Sequence, residues 1–219
     1  MITTVLFDAG GTLVMPNFRR MAEEYERDGV SVTAADLARG EALARLDFER
    51  GDFVRSHTDS WISFLQDITR RAGAAYAPAA FQRLRAYHDT ENLWEEVIEG
   101  THAALDALRS RYRLGVISNA NGTVKHLFRR LGLADYFETI VDSGEAGVEK
   151  PDVRIFQLAL RDLSVDPASA AYVGDMFKID VVGARAAGMR AILIDPDGSR
   201  RDRDCDRIRV LSELPPLLG

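Results

Sequence analysis

Four positions far apart in the chain carry side chains that could handle a phosphoryl group: Asp8, Ser118, Lys150 and Asp175, each at or near the end of a short apolar run or just before a helix. Thr12, Asn119 and Asp180 lie within a few residues of them. Two carboxylates brought together suit Mg²⁺, a hard cation that takes oxygen ligands and keeps several waters. A hydroxyl and a lysine beside them can hold phosphate oxygens, and the lysine offsets the crowded negative charge. Phosphoryl transfer needs little more than in-line positioning, charge neutralisation and a nucleophile, and an aspartate can be that nucleophile. Taken singly, each residue has an ordinary explanation as a turn residue, a helix cap or a solvated side chain. Only a fold that gathers the set makes it chemistry.

Five β-rich runs supply such a fold: "TTVLFD" (3 to 8), "YRLGVIS" (112 to 118), "ETIVDS" (138 to 143), "AAYVGD" (170 to 175) and "RAILID" (190 to 195). The last four are separated by helix-patterned segments such as "THAALDALRSR" and "PDVRIFQLALRDL". Strands alternating with helices predict an α/β fold, a Rossmann-like parallel five-stranded sheet with helices on both faces, whose carboxyl ends converge on one crevice. Asp8, Ser118, Asn119 and Asp175 all end strands, and Lys150 is expected just before a helix whose first turn holds Pro151.

Between the first and second runs the rhythm breaks. Residues 16 to 97 show helical pattern alone, with Thr33 expected as an N-cap and Gly29, Gly51 and Gly73 as helix stops. Some 80 residues far exceed an ordinary crossover, so they are expected to form an inserted helical domain over the catalytic end of a core made of 1–15 and 98–219.

Composition bounds the remaining possibilities. The chain has 219 residues, 46% of them hydrophobic, and a net charge of −6, so it can bury a sizeable core and has no electrostatic footprint for nucleic acid or an anionic membrane. "SRRDRDCDRIR" (199 to 209) alternates arginine with aspartate and is expected to be a solvated surface loop. Cys205 is the only cysteine, which excludes an internal disulfide and argues for a reducing compartment. With no signal-peptide pattern and no apolar run near the ~20 residues needed to cross a bilayer, the expectation is a cytoplasmic protein, monomer or homodimer.

The ordered succession "FDAGGTL", "VISN", "VEKPD" and "VGDMFKID" resembles the four motifs of the haloacid dehalogenase superfamily, and the helical insertion is similar to the cap which that family places between motifs one and two. The resemblance implies a sheet order of 5-4-1-2-3. It implies Asp8 as nucleophile and metal ligand, Asp175 as second side-chain ligand and Asp180 in support. Ser118 and Lys150 would orient phosphate, with Thr12 and Asn119 as helpers, and the Gly10 carbonyl would be a third protein ligand to Mg²⁺.

One part of the pattern is missing. Phosphatases of the superfamily carry at the Gly10 position an aspartate that acts as general acid and then base, and such a group contributes about 10²–10⁴-fold. Its loss is expected to be severe for a sugar alkoxide and milder for a leaving group that departs without a proton, such as an acyl or activated aryl phosphate. Candidate substitutes are His57, His88, His102, Glu95, Glu96 and Glu99, although surface or capping roles suit His57 and His88 better. Trp61, Phe64 and Trp94 could line a substrate pocket or simply pack. A Schiff-base mechanism is disfavoured, because Lys125, Lys150 and Lys178, the only lysines, all lie outside 16–97. The leading expectation is a Mg²⁺-dependent phosphatase acting through an aspartyl-phosphate on a small phosphorylated metabolite. The alternatives are a non-catalytic module that binds Mg²⁺ and a phosphorylated ligand, and a hydrolase of carbon–halogen bonds.

Overall fold

A computed structural model describes residues 1–50 and 60–218, the side chains of 48–50, 60 and 61 excepted. In chain order the elements are β1 (Thr4–Phe7), β2 (Val14–Met15), α1 (Phe18–Glu26), α2 (Ala34–Arg50), α3 (Ser60–Arg71), α4 (Pro78–Glu91), β3 (Glu96–Val97), α5 (Thr101–Arg109), β4 (Arg113–Ser118), α6 (Val124–Arg130), β5 (Thr139–Asp142), α7 (Ser143–Ala146), α8 (Val153–Asp162), β6 (Ala170–Gly174), α9 (Val182–Ala186), β7 (Arg190–Ile194), β8 (Asp206–Ile208) and α10 (Pro215–Leu218). The chain divides into two compact units, Met1–Met15 with Trp94–Gly219, and Pro16–Leu93.

The first unit is built on a parallel six-stranded sheet ordered β5-β4-β1-β6-β7-β8. Its members other than β8 are the five expected strands in the order the resemblance implies. Both faces are covered, so the strands read as continuous apolar runs rather than alternating ones. Val5, Phe7, Val116, Val173 and Ile192 face one core layer, which α5 and α6 complete with Leu105, Leu108, Leu127 and Phe128. Leu6, Ile117, Tyr172 and Leu193 face the other, against Ile155, Phe156 and Ala159 of α8 and Ala184 of α9. These two sets alternate along each strand with the period of 2 that the pleat imposes.

Two expectations are corrected here. Asp206–Ile208 lies within the segment read as a solvated loop, yet it pairs with β7 as an edge strand. Its Asp206 and Arg207 are exposed and only Ile208 enters the core, so the charge pattern hides it. Pro151 precedes α8 rather than sitting in its first turn, because Asp152 is the N-cap and accepts the Arg154 N–H at 2.9 Å. A two-residue antiparallel ribbon joins β2 to β3.

The second unit packs α1 to α4 around Met21, Tyr25, Leu37, Leu65, Ile68, Phe81 and Leu84. Tyr25 donates its hydroxyl to Thr69 Oγ1 at 3.0 Å, which satisfies a buried polar pair. Thr33 and Asp36 form the expected cap of α2, each bonding the other's main-chain N–H. Gly29 and Gly73 follow α1 and α3 with φ of 72° and 75°, as expected of helix stops. Gly51 lies outside the described residues. Among the described residues no helix is long and apolar enough to cross a membrane.

Candidate active site

Asp8 lies one residue beyond β1, where its N–H still bonds the Val173 carbonyl at 2.8 Å. Asp175 holds the same position beyond β6, the neighbouring strand, so the two carboxylates emerge side by side. Asp180 reaches the same place from a π-helical turn, Phe177–Val181, that leads into α9. Carboxylate oxygens of Asp8, Asp175 and Asp180 all lie within 4.8 Å of one another, and all three residues are buried. The turn is held by Asp180 itself, whose Oδ2 accepts the Met176 N–H at 2.9 Å. A Cβ on Gly174 would stand 2.4 Å from the Asp180 carboxyl carbon, so only glycine lets that carboxylate lie against the strand end.

Lys150 supplies the counter-charge. Its Nζ donates to Asp8 Oδ1 at 2.6 Å, to Asp180 Oδ1 at 2.8 Å and to the Tyr172 hydroxyl at 2.9 Å. Asn119, at the end of β4, fixes the loop that delivers this lysine: its Nδ2 donates to the Lys150 carbonyl at 2.9 Å and its Oδ1 accepts the Lys150 N–H at 2.8 Å. Ser118 ends β4 and is buried. Thr12 is buried in the turn after Asp8, and its Oγ1 makes no hydrogen bond among the described residues. Gly10 sits in that same turn, which Leu13 and Val14 close by donating to the Ala9 carbonyl.

The electrostatics follow from burial. Asp8 is pushed up to about 6, first by loss of water and then by Asp180, with Lys150 pulling the other way. For Lys150, burial alone would lower the ammonium, but Asp180 and Asp8 outweigh it and hold the pKa above the ordinary lysine value. Tyr172 is raised well above a free phenol by burial and by the same two carboxylates. Three carboxylates converge around the Lys150 ammonium, which crowds negative charge into the cluster. Like charges at such spacing repel by on the order of 3 kcal/mol per pair at an effective dielectric near 20. An all-oxygen donor set of three close carboxylates fits a hard divalent cation, and Mg²⁺ by its chemistry.

A family model for haloacid dehalogenase-like hydrolases matches residues 2–188. The chain belongs to this family. Among its relatives, the haloacid dehalogenase-like hydrolase domain-containing protein 3 of Bos taurus is 35% identical over 139 residues, 61% of this chain and 55% of that protein. The glyceraldehyde 3-phosphate phosphatase of Methanopyrus kandleri is 32% identical over 89% of this chain and 84% of its own length. The chain thus spans about half the length of some curated relatives that it matches and most of others. Among solved structures, a HAD phosphatase from Thermococcus onnurineus is 26% identical with a TM-score of 0.67, covering 100% of this chain and 98% of that one. A 2-haloacid dehalogenase from Pseudomonas syringae is 29% identical with a TM-score of 0.65 over the same shares.

In this haloacid dehalogenase-like hydrolase the structure brings Asp8, Lys150, Asp175 and Asp180 into one cluster and uses Asn119 to position Lys150 from behind. The substitutes weighed for a general acid fare differently. His88 is buried, and its Nδ1 accepts the Leu93 N–H at 3.2 Å, so it closes the end of α4. Burial pulls its pKa down to about 4. Glu95 is paired with Arg130 at 2.9 Å, Glu96 and Glu99 are exposed, and His102 lies against Tyr136 on the surface. His57 and the side chain of Trp61 fall outside what is described. Phe64 is half-buried in α3, and Trp94 packs against the core layer that includes Phe7 and Leu13.

Two residues that brace the cluster and its loops were not singled out from the sequence. Tyr172 reads as a core residue of β6, and its hydroxyl acquires a role only when Lys150 arrives from a distant loop. Asp142 ends β5 and accepts the N–H groups of Gly122 at 2.9 Å, Val124 at 3.2 Å and Gly144 at 2.9 Å, bracing the loop after Asn119. An acidic residue at a strand end was the available clue.

Proposed function

We propose that the chain is a Mg²⁺-dependent phosphohydrolase acting on a small phosphorylated metabolite in the cytoplasm, with Asp8 as nucleophile. The observation that carries this reading is the Lys150 ammonium shared between Asp8 and Asp180 beside Asp175. The glyceraldehyde 3-phosphate phosphatases among the relatives support the phosphate class.

Lys150 fixes the rotation of the Asp8 carboxylate and keeps it ionised against the pull of burial. The Asp8 oxygen attacks phosphorus, the bond to the leaving group breaks, and the phosphoryl group rests on Asp8 as an acyl phosphate. Ser118 and Thr12 lie on the adjoining strand end and turn, where their hydroxyls would hold the phosphoryl oxygens, whereas Asn119, expected from the sequence to help them, has its amide bonded to the Lys150 main chain and positions that lysine instead. Water then cleaves the aspartyl-phosphate and frees Asp8. Asp8, Asp175 and the Gly10 carbonyl would hold Mg²⁺, with Asp180 in support. Bound there, the cation supplies charge neutralisation for the transferring group.

Phosphate release from acetyl phosphate and p-nitrophenyl phosphate, with Mg²⁺ or with EDTA, tests the reading. Activity lost in Asp8→Asn and in EDTA supports it, and release that survives Asp8→Asn removes it. Turnover absent throughout, with Mg²⁺ binding retained, would favour the non-catalytic module. A second reading is kept because Gly10 carries no carboxylate and one neighbour is a 2-haloacid dehalogenase. Halide release from a short 2-haloacid, indifferent to EDTA, would establish it.

A further inference from the structure

Gly10 is not required by its backbone. It lies outside the left-handed region, unlike Gly11 beside it, whose φ is 79°. What crowds a side chain there is Trp94. A Cβ placed on Gly10 would meet Trp94 Cδ1 at 3.1 Å and Nε1 at 3.2 Å, inside the 3.5–4.0 Å at which carbon atoms pack. The indole is itself packed on the core layer that includes Phe7, Leu13 and Val14, so it cannot withdraw freely.

We propose that Gly10 and Trp94 are a matched pair that sets the substrate class: the indole takes the space of a side chain at residue 10 and keeps a proton donor from being mounted there. Turnover is thereby confined to phosphates whose leaving group departs as a stable anion, acyl phosphates above all. This rests on the phosphohydrolase reading. The ammonium of Lys150 does not fill the gap, because its three N–H bonds are directed to Asp8, Asp180 and Tyr172. The indole N–H can donate a hydrogen bond but does not ionise at neutral pH, so it cannot act as general acid.

The reaction balances without a proton donor. As the Asp8 oxygen bonds to phosphorus, the bond from phosphorus to the acyl oxygen breaks and its electron pair leaves with the carboxylate. Water next bonds to phosphorus and the bond to Asp8 breaks. The aspartate carboxylate is regenerated, and the second water proton goes to a phosphate oxygen. Trp94 is a specificity-determining residue in this scheme and takes no part in bond making.

Rates on acetyl phosphate, a series of aryl phosphates of graded leaving-group acidity and glycerol phosphate test the pairing in four proteins: wild type, Gly10→Asp, Trp94→Ala and Gly10→Asp with Trp94→Ala. Wild type is expected to favour acetyl over glycerol phosphate strongly, and Gly10→Asp alone, crowded against Trp94, to lower both rates without raising the glycerol phosphate rate relative to that of acetyl phosphate. The double variant is expected to raise the glycerol phosphate rate by about 10²-fold or more and to flatten the leaving-group dependence. Trp94→Ala alone should leave that dependence steep. Equal gains in Gly10→Asp with and without the Trp94 change would overturn the pairing.

A second measurement does not depend on turnover. With Trp61→Phe in the background Trp94 is the sole indole, and adding Gly10→Ala should shift its emission. An unchanged spectrum would overturn the contact. A wild type that releases no phosphate from any substrate would instead remove the phosphohydrolase reading, leaving the emission result to decide the contact. If the double variant does not fold, Trp94→Leu replaces Trp94→Ala.

Discussion

Lys150 Nζ lies 2.6 Å from Asp8 Oδ1, a bond that closes across 142 residues of chain and joins the loop before α8 to the end of β1. Both groups are buried, so the pair exists because each supplies what the other lost on leaving water. Lys150→Met would leave Asp8 and Asp180 facing each other without a counter-charge. Breaking a buried pair by removing one partner costs about 3–5 kcal/mol, so the variant should melt well below wild type and lose activity by orders of magnitude. Mg²⁺ should raise its melting temperature more than it raises that of wild type, which differential scanning calorimetry can check.

Tyr172→Phe tests the third acceptor of that ammonium. The ring packs edge-on to Phe156 with centroids 5.1 Å apart, and the substitution preserves this contact while removing the hydroxyl. Loss of one buried hydrogen bond is worth about 1 kcal/mol, so stability should fall slightly. Steady-state kinetics should show kcat reduced about fivefold, a fall of about 1 kcal/mol in transition-state stabilisation.

The loop after Asn119 depends on Asp142, which accepts three main-chain N–H groups. Asp142→Ala should cost about 2–4 kcal/mol, since hydrogen bonds to a charged acceptor are worth about 1.5–3 kcal/mol each and do not add fully. Asp142→Asn should recover part of the loss. Urea unfolding of both variants gives the comparison.

His88 makes the second unit acid-sensitive. Its folded pKa is about 4 against an ordinary 6.5, so between these values the unfolded chain binds the additional proton. Its contribution is therefore fully present above pH 6.5 and is lost as pH falls towards 4. A shift of this size corresponds to about 3 kcal/mol. His88→Asn offers an oxygen to the Leu93 N–H that does not take up a proton, and urea titrations should show a shallower loss of stability between pH 6.5 and 4.

The central strands were legible because burial on both faces makes them apolar throughout, as in "TVLF" of β1 and "AAYVG" of β6. Asp8, Asp175 and Ser118 were legible because a parallel sheet brings its carboxyl ends to one place. β8 was not, since an edge strand with two exposed charged residues looks like a loop. The capping role of His88 was legible, but its burial was hidden by the polar composition of α4. The contact of Gly10 with Trp94 had no local signature at all, because the two residues meet only after the segment 16–93 has left the first unit and returned.

The most direct test of Asp8 as nucleophile is to trap the covalent species. Wild type is mixed with acetyl phosphate and Mg²⁺, quenched within a turnover, reduced with borohydride and mapped by mass spectrometry. Conversion of Asp8 to homoserine, absent without substrate and absent in Asp8→Asn, is the expected result. Turnover without any reduction product at residue 8, or with the product at another carboxylate, would contradict it.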